Sequence, residues 1–305
     1  MADLPPRLFD RPLHRARLDR AAPGYPAADF LKARVAEDVA WRLSAILRRF
    51  PLAVDLSARS GVFARKLWES DAAAQVDTLV EADLSAAMFH RSDGRGRLRL
   101  VADEERLPFA PQSFDLVVSL LSLHWTNDLV GALVQARRVL KPDGLFIATL
   151  YGGATLTELR QSLLQAEAEL SDGAGPRVSP FADALDAAGL LQRAGFALPV
   201  SDVDRITVRY AHPLRLMAEL RAMGEASALA DRPRRPLSRR VLARTSDIYA
   251  ERFGLEDGRV PATFELITLT GWAPHASQPK ALKPGSAKMR LADALGVPEQ
   301  PLARG

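Results

Sequence analysis

Three aspartates stand at the ends of short apolar runs: Asp55 after "PLAV", Asp83 after "TLVEA" and Asp103 after "LRLVA". They lie 28 and 20 residues apart, one strand–helix unit each. If each run is a parallel strand, all three carboxylates project from the carboxyl ends of neighbouring strands, where open α/β sheets hold ligands. One aspartate in such a place is usually a helix cap or a turn former. Three in register with an alternating pattern favour a binding site. The first of them opens "DLSARSG", Asp55 to Gly61, which runs into an amphipathic segment. That is the outline of a nucleotide-cofactor loop, with one glycine where such loops hold several. Glycine serves there because it tolerates positive φ and lets the backbone approach a ligand. Ser57 and Arg59 each carry a Cβ, and wherever such a position keeps positive φ the cost is on the order of 1 kcal/mol. A further pair, His124 and Trp125, follows the fourth apolar run. Imidazole there can serve as a base or a hydrogen-bond donor, or the pair can simply pack at the start of a helix.

Placing these groups requires a sheet covered by helices, and the sequence alternates accordingly. Strands are predicted over Pro51 to Ser57, Asp77 to Asp83, Leu98 to Asp103, Phe114 to Ser122 and Gly144 to Gly152, each nearly continuous in apolar residues as buried parallel strands are. Helical periodicity covers Val62 to Glu69, Ala86 to His90 and Asp128 to Leu140, where Leu129, Leu133, Ala136, Val139 and Leu140 share a face. "LKPDGL" should end the last of these, Pro142 stopping the helix and Gly144 turning the chain into the next strand. Helices are expected again over Leu156 to Leu170 and Phe181 to Ala194, and strands at "DRITVRY" and "TFELITLTGW". The expected organisation is an α/β domain over 51–272, preceded by a helical segment, 1–50, and interrupted by a helical, basic insertion from His212 to Pro261. The tail, 273–305, shows no periodicity and is expected to be disordered.

The 305 residues are 48% apolar and 26% charged, a composition able to bury a large core. Cysteine is absent, which excludes disulfides, thiolate zinc sites and a cysteine nucleophile. The formal charge is +4, with arginines clustered at Arg11, Arg15, Arg17 and Arg20 and again within Asp231 to Arg244. Each cluster is either a solvated face or a docking surface for an acidic protein or membrane headgroups. Neither is interleaved with aromatics, so nucleic acid is not an expected partner. The first residues lack the apolar core of a secretory signal and no run approaches a membrane span, so a cytoplasmic location is expected.

Seven strands, with helices between the first five and an edge pair at the end, resemble the class I S-adenosylmethionine methyltransferase fold, a Rossmann-like and mostly parallel sheet, here with a helical insertion. The resemblance implies S-adenosylmethionine as cofactor, with Asp83 on the ribose hydroxyls, Asp103 near the adenine, and Asp55, Ser57, Arg59, Gly61 and Ser119 completing the cofactor-facing set. Arg59 then either clamps the cofactor's carboxylate or fills the site itself, so the pocket is weakened or lost. A longer set of motifs narrows the resemblance. "ADEERLPFAPQSFDLVVSLLSLHWTNDL" from Ala102 to Leu129, "LKPDGLF", "LYGG", "TLTELR", "RAGF", "MGE" at Met223 to Glu225 and "EDGRVPATFE" at Glu256 to Glu265 resemble the mitochondrial complex I assembly factor 5 family, as does "LFDR" at the start. That similarity runs from about Leu8 to Trp272. Without a targeting segment, the chain reads as a bacterial relative. It implies maturation of the respiratory NADH dehydrogenase by hydroxylating an arginine of a cluster-bearing peripheral-arm subunit. Biotin-pathway carboxyl methyltransferases are similar but more distant.

On this reading His124 and Trp125 are the catalytic candidates, with Trp125 stacking on a guanidinium. They should face the insertion across the cofactor pocket, and the insertion's arginines should dock the partner. Hydroxylation would naturally come from a non-haem iron site of two histidines and a carboxylate. His14, His90, His124, His212 and His275 contain no H-x-D pair, so no metal ligands are assigned. Three functions stay open: a modifying enzyme using S-adenosylmethionine or its pocket, an assembly scaffold with a vestigial pocket, and a methyltransferase of small or carrier-bound carboxyl substrates.

Overall fold

The computed structural model describes residues 7–89, 98–171, 173–183, 186–279, 289 and 291–297. Seven strands form one sheet: β1 (Leu52–Asp55), β2 (Thr78–Asp83), β3 (Leu98–Val101), β4 (Phe114–Leu120), β5 (Leu140–Tyr151), β6 (Ala197–Tyr210) and β7 (Val260–Trp272). Their order is β3-β2-β1-β4-β5-β7-β6. The first five run parallel, and β7 lies antiparallel between β5 and β6. Strand order reverses at β1, which pairs with β2 on one side and β4 on the other. That reversal opens the crevice in which such sheets bind ligands.

Helices cover both faces. Before the sheet come α1 (Arg11–Ala21) and α2 (Phe30–Ser44), then α3 (Val62–Trp68), α4 (Ala86–Phe89), α5 (Leu129–Val139), α6 (Thr157–Leu170), α7 (Ala187–Arg193), α8 (Pro213–Ala222) and α9 (Arg239–Phe253). Local chemistry sets several of their starts. The Asp10 side chain accepts from the Leu13 N–H, Asp128 from Gly131 and Ser238 from Val241, each supplying an acceptor to an otherwise unpaired donor of the first turn. Successive residues of β4 point to opposite faces, so Val118 joins Leu31, Val35, Val39 and Leu43 of α2 in one core, while Val117 joins Leu133 and Ala136 of α5 in the other.

Three sequence expectations need correction. β3 is an outer edge strand with all four residues exposed, so its apolar run is not that of a buried strand. β5 begins at Leu140, ahead of Pro142 and Gly144, with Asp143 at φ 62°. The helix expected from Phe181 starts only at Ala187, because Ala182 pairs with Gly152 instead. This bridge sets the Phe181 ring 5.9 Å from those of Tyr151 and His124, a tertiary contact that overrides the local periodicity. His90 and most of the tail lie outside the described residues. Residues His275–Gly305 form a separate unit, whose described part includes a short helix, α10 (Leu291–Leu295).

Because β7 is reversed, β6 ends and β7 begins at the same end of the sheet as the carboxyl ends of β1 to β5. The segment carrying α8 and α9 therefore emerges at the ligand-binding end. α8 stops at Gly224, whose φ of +78° suits glycine and lets the Glu225 N–H return to the Leu220 carbonyl at 2.8 Å. A Cβ on Gly224 would lie 2.7 Å from Leu18 of α1, so the turn packs closely on the N-terminal helix.

Candidate active site

The loop after β1 is tied down on both sides. Asp55 is buried, and its Oδ1 accepts from the Ser57 N–H at 3.0 Å. Ser57 Oγ accepts from the Leu120 N–H at 2.8 Å, stitching the loop to β4. Ser57 is not at positive φ; in this loop only Arg59, at 52°, and Gly61, at 73°, are. The strain expected at two non-glycine positions is confined to Arg59, at about 1 kcal/mol or a little more.

Arg59 also explains how that strain is tolerated. Its backbone N–H and its Nη1 both donate to Asp83 Oδ2, each at 2.8 Å, and both residues are fully buried. The second Asp83 oxygen accepts from the Ser85 N–H at 2.9 Å. The cation therefore pairs with the acid that the fold resemblance assigns to the ribose, with Nη1 as the donor. Lys32 of α2 reaches the same loop from above the sheet, its Nζ 2.6 Å from the Leu120 carbonyl and 3.2 Å from Ser57 Oγ. Burial pushes its pKa down to about 8, with Asp55 pulling the other way. The Asp55 carboxyl is pushed up by burial against the attraction of Lys32.

Asp103 follows β3, and there a third cation meets it. Arg11 Nη2 lies 2.6 Å from Asp103 Oδ1 and 2.5 Å from Glu104 Oε2, and Nη1 donates to the Trp125 carbonyl at 3.3 Å. Burial alone would raise the Glu104 carboxyl, but Arg11 and the Ser122 hydroxyl outweigh it and hold it below the usual range. Arg11 is thus a buried structural cation; Arg15 and Arg20 from the same cluster are exposed.

Several buried polar atoms here have no hydrogen-bond partner among the described residues: Asp55 Oδ2, Ser60 Oγ, Ser119 Oγ and Arg59 Nη2. Leaving such atoms unpaired is costly, so a polar ligand at the carboxyl ends of β1, β2 and β4 would relieve them. S-adenosylmethionine fits these groups. Asp83 has both oxygens engaged already, although a carboxylate offers about four acceptor positions.

His124 and Trp125 lie in the 3-10 turn Leu123–Trp125 after β4, and both bind one carboxylate. Glu225 Oε2 is 3.1 Å from His124 Nε2 and 2.9 Å from Trp125 Nε1. They therefore do not face the insertion across a pocket; they are bonded to it directly, because the turn at Gly224 swings Glu225 inward. Trp125 is 2% exposed, stacked on His14 at 4.6 Å and edge-on to Phe9 at 5.2 Å. His14 thus takes one face of the ring and Glu225 its N–H. Beneath the insertion lies a cavity of about 230 Å³, lined by Trp125, Tyr151, Phe181, Phe264 and Glu225 among others.

The insertion's arginines divide. Arg244 pairs with Glu169 at 2.6 Å and Arg232 lies 3.7 Å from Asp10, while Arg234, Arg235, Arg239 and Arg240 are exposed. No helix among the described residues is long and apolar enough to cross a membrane, and no three His, Asp or Glu side chains among them converge as metal ligands. Sequence reasoning missed Lys32, Glu104 and Glu225 as parts of the site. Lys32 was legible as a lone cation on the apolar face of Leu31, Val35 and Val39, and Glu225 stood within "MGE" without a role.

This sheet order is that of the class I methyltransferase fold, and the Methyltransferase domain family matches residues 54–148. A methyltransferase-class protein from Bacillus halodurans superposes with a TM-score of 0.55 at 17% identity, covering 78% of this chain and 99% of that one, a likeness of fold. The chain is 40% identical over 94% of its length to the arginine-hydroxylase NDUFAF5 of Danio rerio, covering 89% of that protein, and 39% identical to the human one, covering 83%. It belongs to the NDUFAF5 arginine-hydroxylase family. A malonyl-[acyl-carrier protein] O-methyltransferase from Halorhodospira halophila is 35% identical over 92% of this chain and 94% of its own length.

Proposed function

We propose that this chain is a protein-modifying enzyme of respiratory NADH dehydrogenase assembly, which binds S-adenosylmethionine at the carboxyl ends of β1 to β4 and acts on an arginine of a peripheral-arm subunit in the cytoplasm. The observation that carries the reading is the Glu225 bridge to His124 and Trp125. It links the loop end of the sheet, with its unpartnered polar atoms, to a half-open cavity under the insertion, which supports one site with a cofactor side and a substrate side. In that arrangement Asp55, Ser60, Ser119, Asp83 and Asp103 would hold the cofactor, which would supply a methyl group made electrophilic by its sulfonium. Trp125 lines the cavity, and His124 stands beside it on the same Glu225 carboxylate.

Mass spectrometry of the NADH dehydrogenase subunits from a strain lacking this chain tests the proposal. Loss of one oxygen or one methyl group from a specific arginine supports the reading and names the chemistry, and an unchanged set of subunits rejects it. The Arg59–Asp83 pair favours a second reading, a scaffold whose cofactor site is filled by its own arginine. A thermal shift on adding S-adenosylmethionine separates the two, because the scaffold should give none.

A further inference from the structure

We infer that Glu225 is the receptor for the guanidinium of the substrate arginine, in the cavity walled by Trp125, Tyr151, Phe181 and Phe264. This deepens the proposed arginine modification and rests on it for the substrate's identity. Three observations converge on the assignment.

The first is charge balance. Each buried cation of the site has a carboxylate of its own: Arg59 has Asp83, Arg11 has Glu104 and Asp103, and Lys32 lies in the field of Asp55. Among the described residues Glu225 has no arginine or lysine within ion-pair distance, only the imidazole of His124 at 3.1 Å, and it feels Arg59 and Lys32 only at longer range. The second is valence. Glu225 Oε2 accepts from both His124 and Trp125, while Oε1 has no hydrogen-bond partner among the described residues. A carboxylate with one oxygen fixed and the other open is suited to a guanidinium fork, whose paired N–H groups favour such acceptors. The third is surroundings. Aromatic faces around a lone carboxylate attract a desolvated cation, and the cavity, at about 230 Å³, has room for a side chain rather than a folded segment. Of the two arginines that also line it, Arg177 is committed to Glu167 at 2.6 Å and to the backbone carbonyls of Pro233 and Arg235, and Arg221 is exposed and makes no ion pair with Glu225.

The probe is N-acetyl-arginine methylamide, with the uncharged citrulline analogue as its control. The readout is the Trp125 indole N–H resonance, one of four tryptophan indoles in the chain and identified by Trp125→Phe. The expected result is a saturable shift with the arginine compound and at least tenfold weaker binding of the citrulline compound. Glu225→Gln keeps an acceptor for Trp125 and should abolish that discrimination, while Glu225→Asp, which retains the charge, should keep part of it. Equal response to both compounds in the wild type, or unchanged discrimination in Glu225→Gln, overturns the assignment. The wild-type comparison stands even if a variant misfolds. Discrimination without any arginine modification in cells would reject the proposed function and leave the receptor assignment intact. Arginine modification that survives Glu225→Gln would do the reverse.

Discussion

The loop end of the sheet and the cavity under the insertion are neighbours built on opposite electrostatic plans. At the loop end, Arg59 and Arg11 are each paired with carboxylates and Lys32 lies in the field of Asp55 while bonding the Leu120 carbonyl, so the charges are balanced within the chain. In the cavity, apolar rings surround a carboxylate with an open oxygen. The first plan contributes rigidity, since removing one partner of a buried pair strands the other. The second keeps capacity for something brought from outside. A cofactor entering the first region must share acceptors already in use, whereas a cation entering the second finds one waiting.

The sharpest way to break this contrast is at Arg59. Arg59→Met leaves Asp83 buried without its cation and should lower the unfolding free energy by about 3–5 kcal/mol, partly offset by losing the long polar head. Denaturant titration checks it, and a loss below about 1 kcal/mol would mean that the pair is not the anchor described.

Lys32 offers a test by pH. Its folded pKa, about 8, lies below the ordinary lysine value. Below pH 8 both the folded and the unfolded chain carry the proton, and the cost of burying it is present in full. Between pH 8 and about 10 the unfolded chain holds a proton that the folded chain has released, so stability rises with pH, by roughly 3 kcal/mol at most. Beyond about pH 10 the trend turns down, because Tyr25 and Tyr249, held well above the usual tyrosine range mainly by burial, keep protons that the unfolded chain loses. Lys32→Met should flatten the rise and spare the fall; a wild-type curve already flat from pH 8 to 10 would remove Lys32 from this role.

Cofactor affinity sharpens the comparison from the other side. Asp103→Asn weakens a charged acceptor at the rim and should reduce S-adenosylmethionine affinity by about 1.5–3 kcal/mol, tenfold to more than a hundredfold. Calorimetry with unchanged affinity would place the adenine elsewhere.

The smallest stability effect is expected at the surface. Reversing Arg234, Arg235, Arg239 and Arg240 to Glu should change stability by no more than about 0.5 kcal/mol, since exposed charges contribute little. The same reversal should weaken capture of an acidic partner and remove the salt dependence of its binding. Capture indifferent to both would leave the cluster a solvated face.

The sheet was legible because its cues are local and repeated. Apolar runs end in Asp55 and Asp83, and α5 announces itself through Leu129, Leu133 and Ala136. A helical insertion could likewise be bracketed between the last two strands, though not its division into two helices. The partners of Arg59 and Glu225 were not legible, because they depend on approaches across 24 and 101 residues that no local pattern records. The helix expected from Phe181 failed for the same reason, its first residues being claimed by Gly152.

The reversed strand β7 has an evolutionary consequence. By returning both ends of the insertion to one end of the sheet, it makes that segment a replaceable module: a longer or shorter version perturbs neither the strand order nor the loop after β1. Doubling the length of a flexible loop costs only about 0.6 kcal/mol of closure entropy. A lineage could therefore rewrite the insertion's share of the cavity, which includes Met217, Leu220, Arg221, Glu225 and Leu237, while inheriting the aromatic walls from the sheet side.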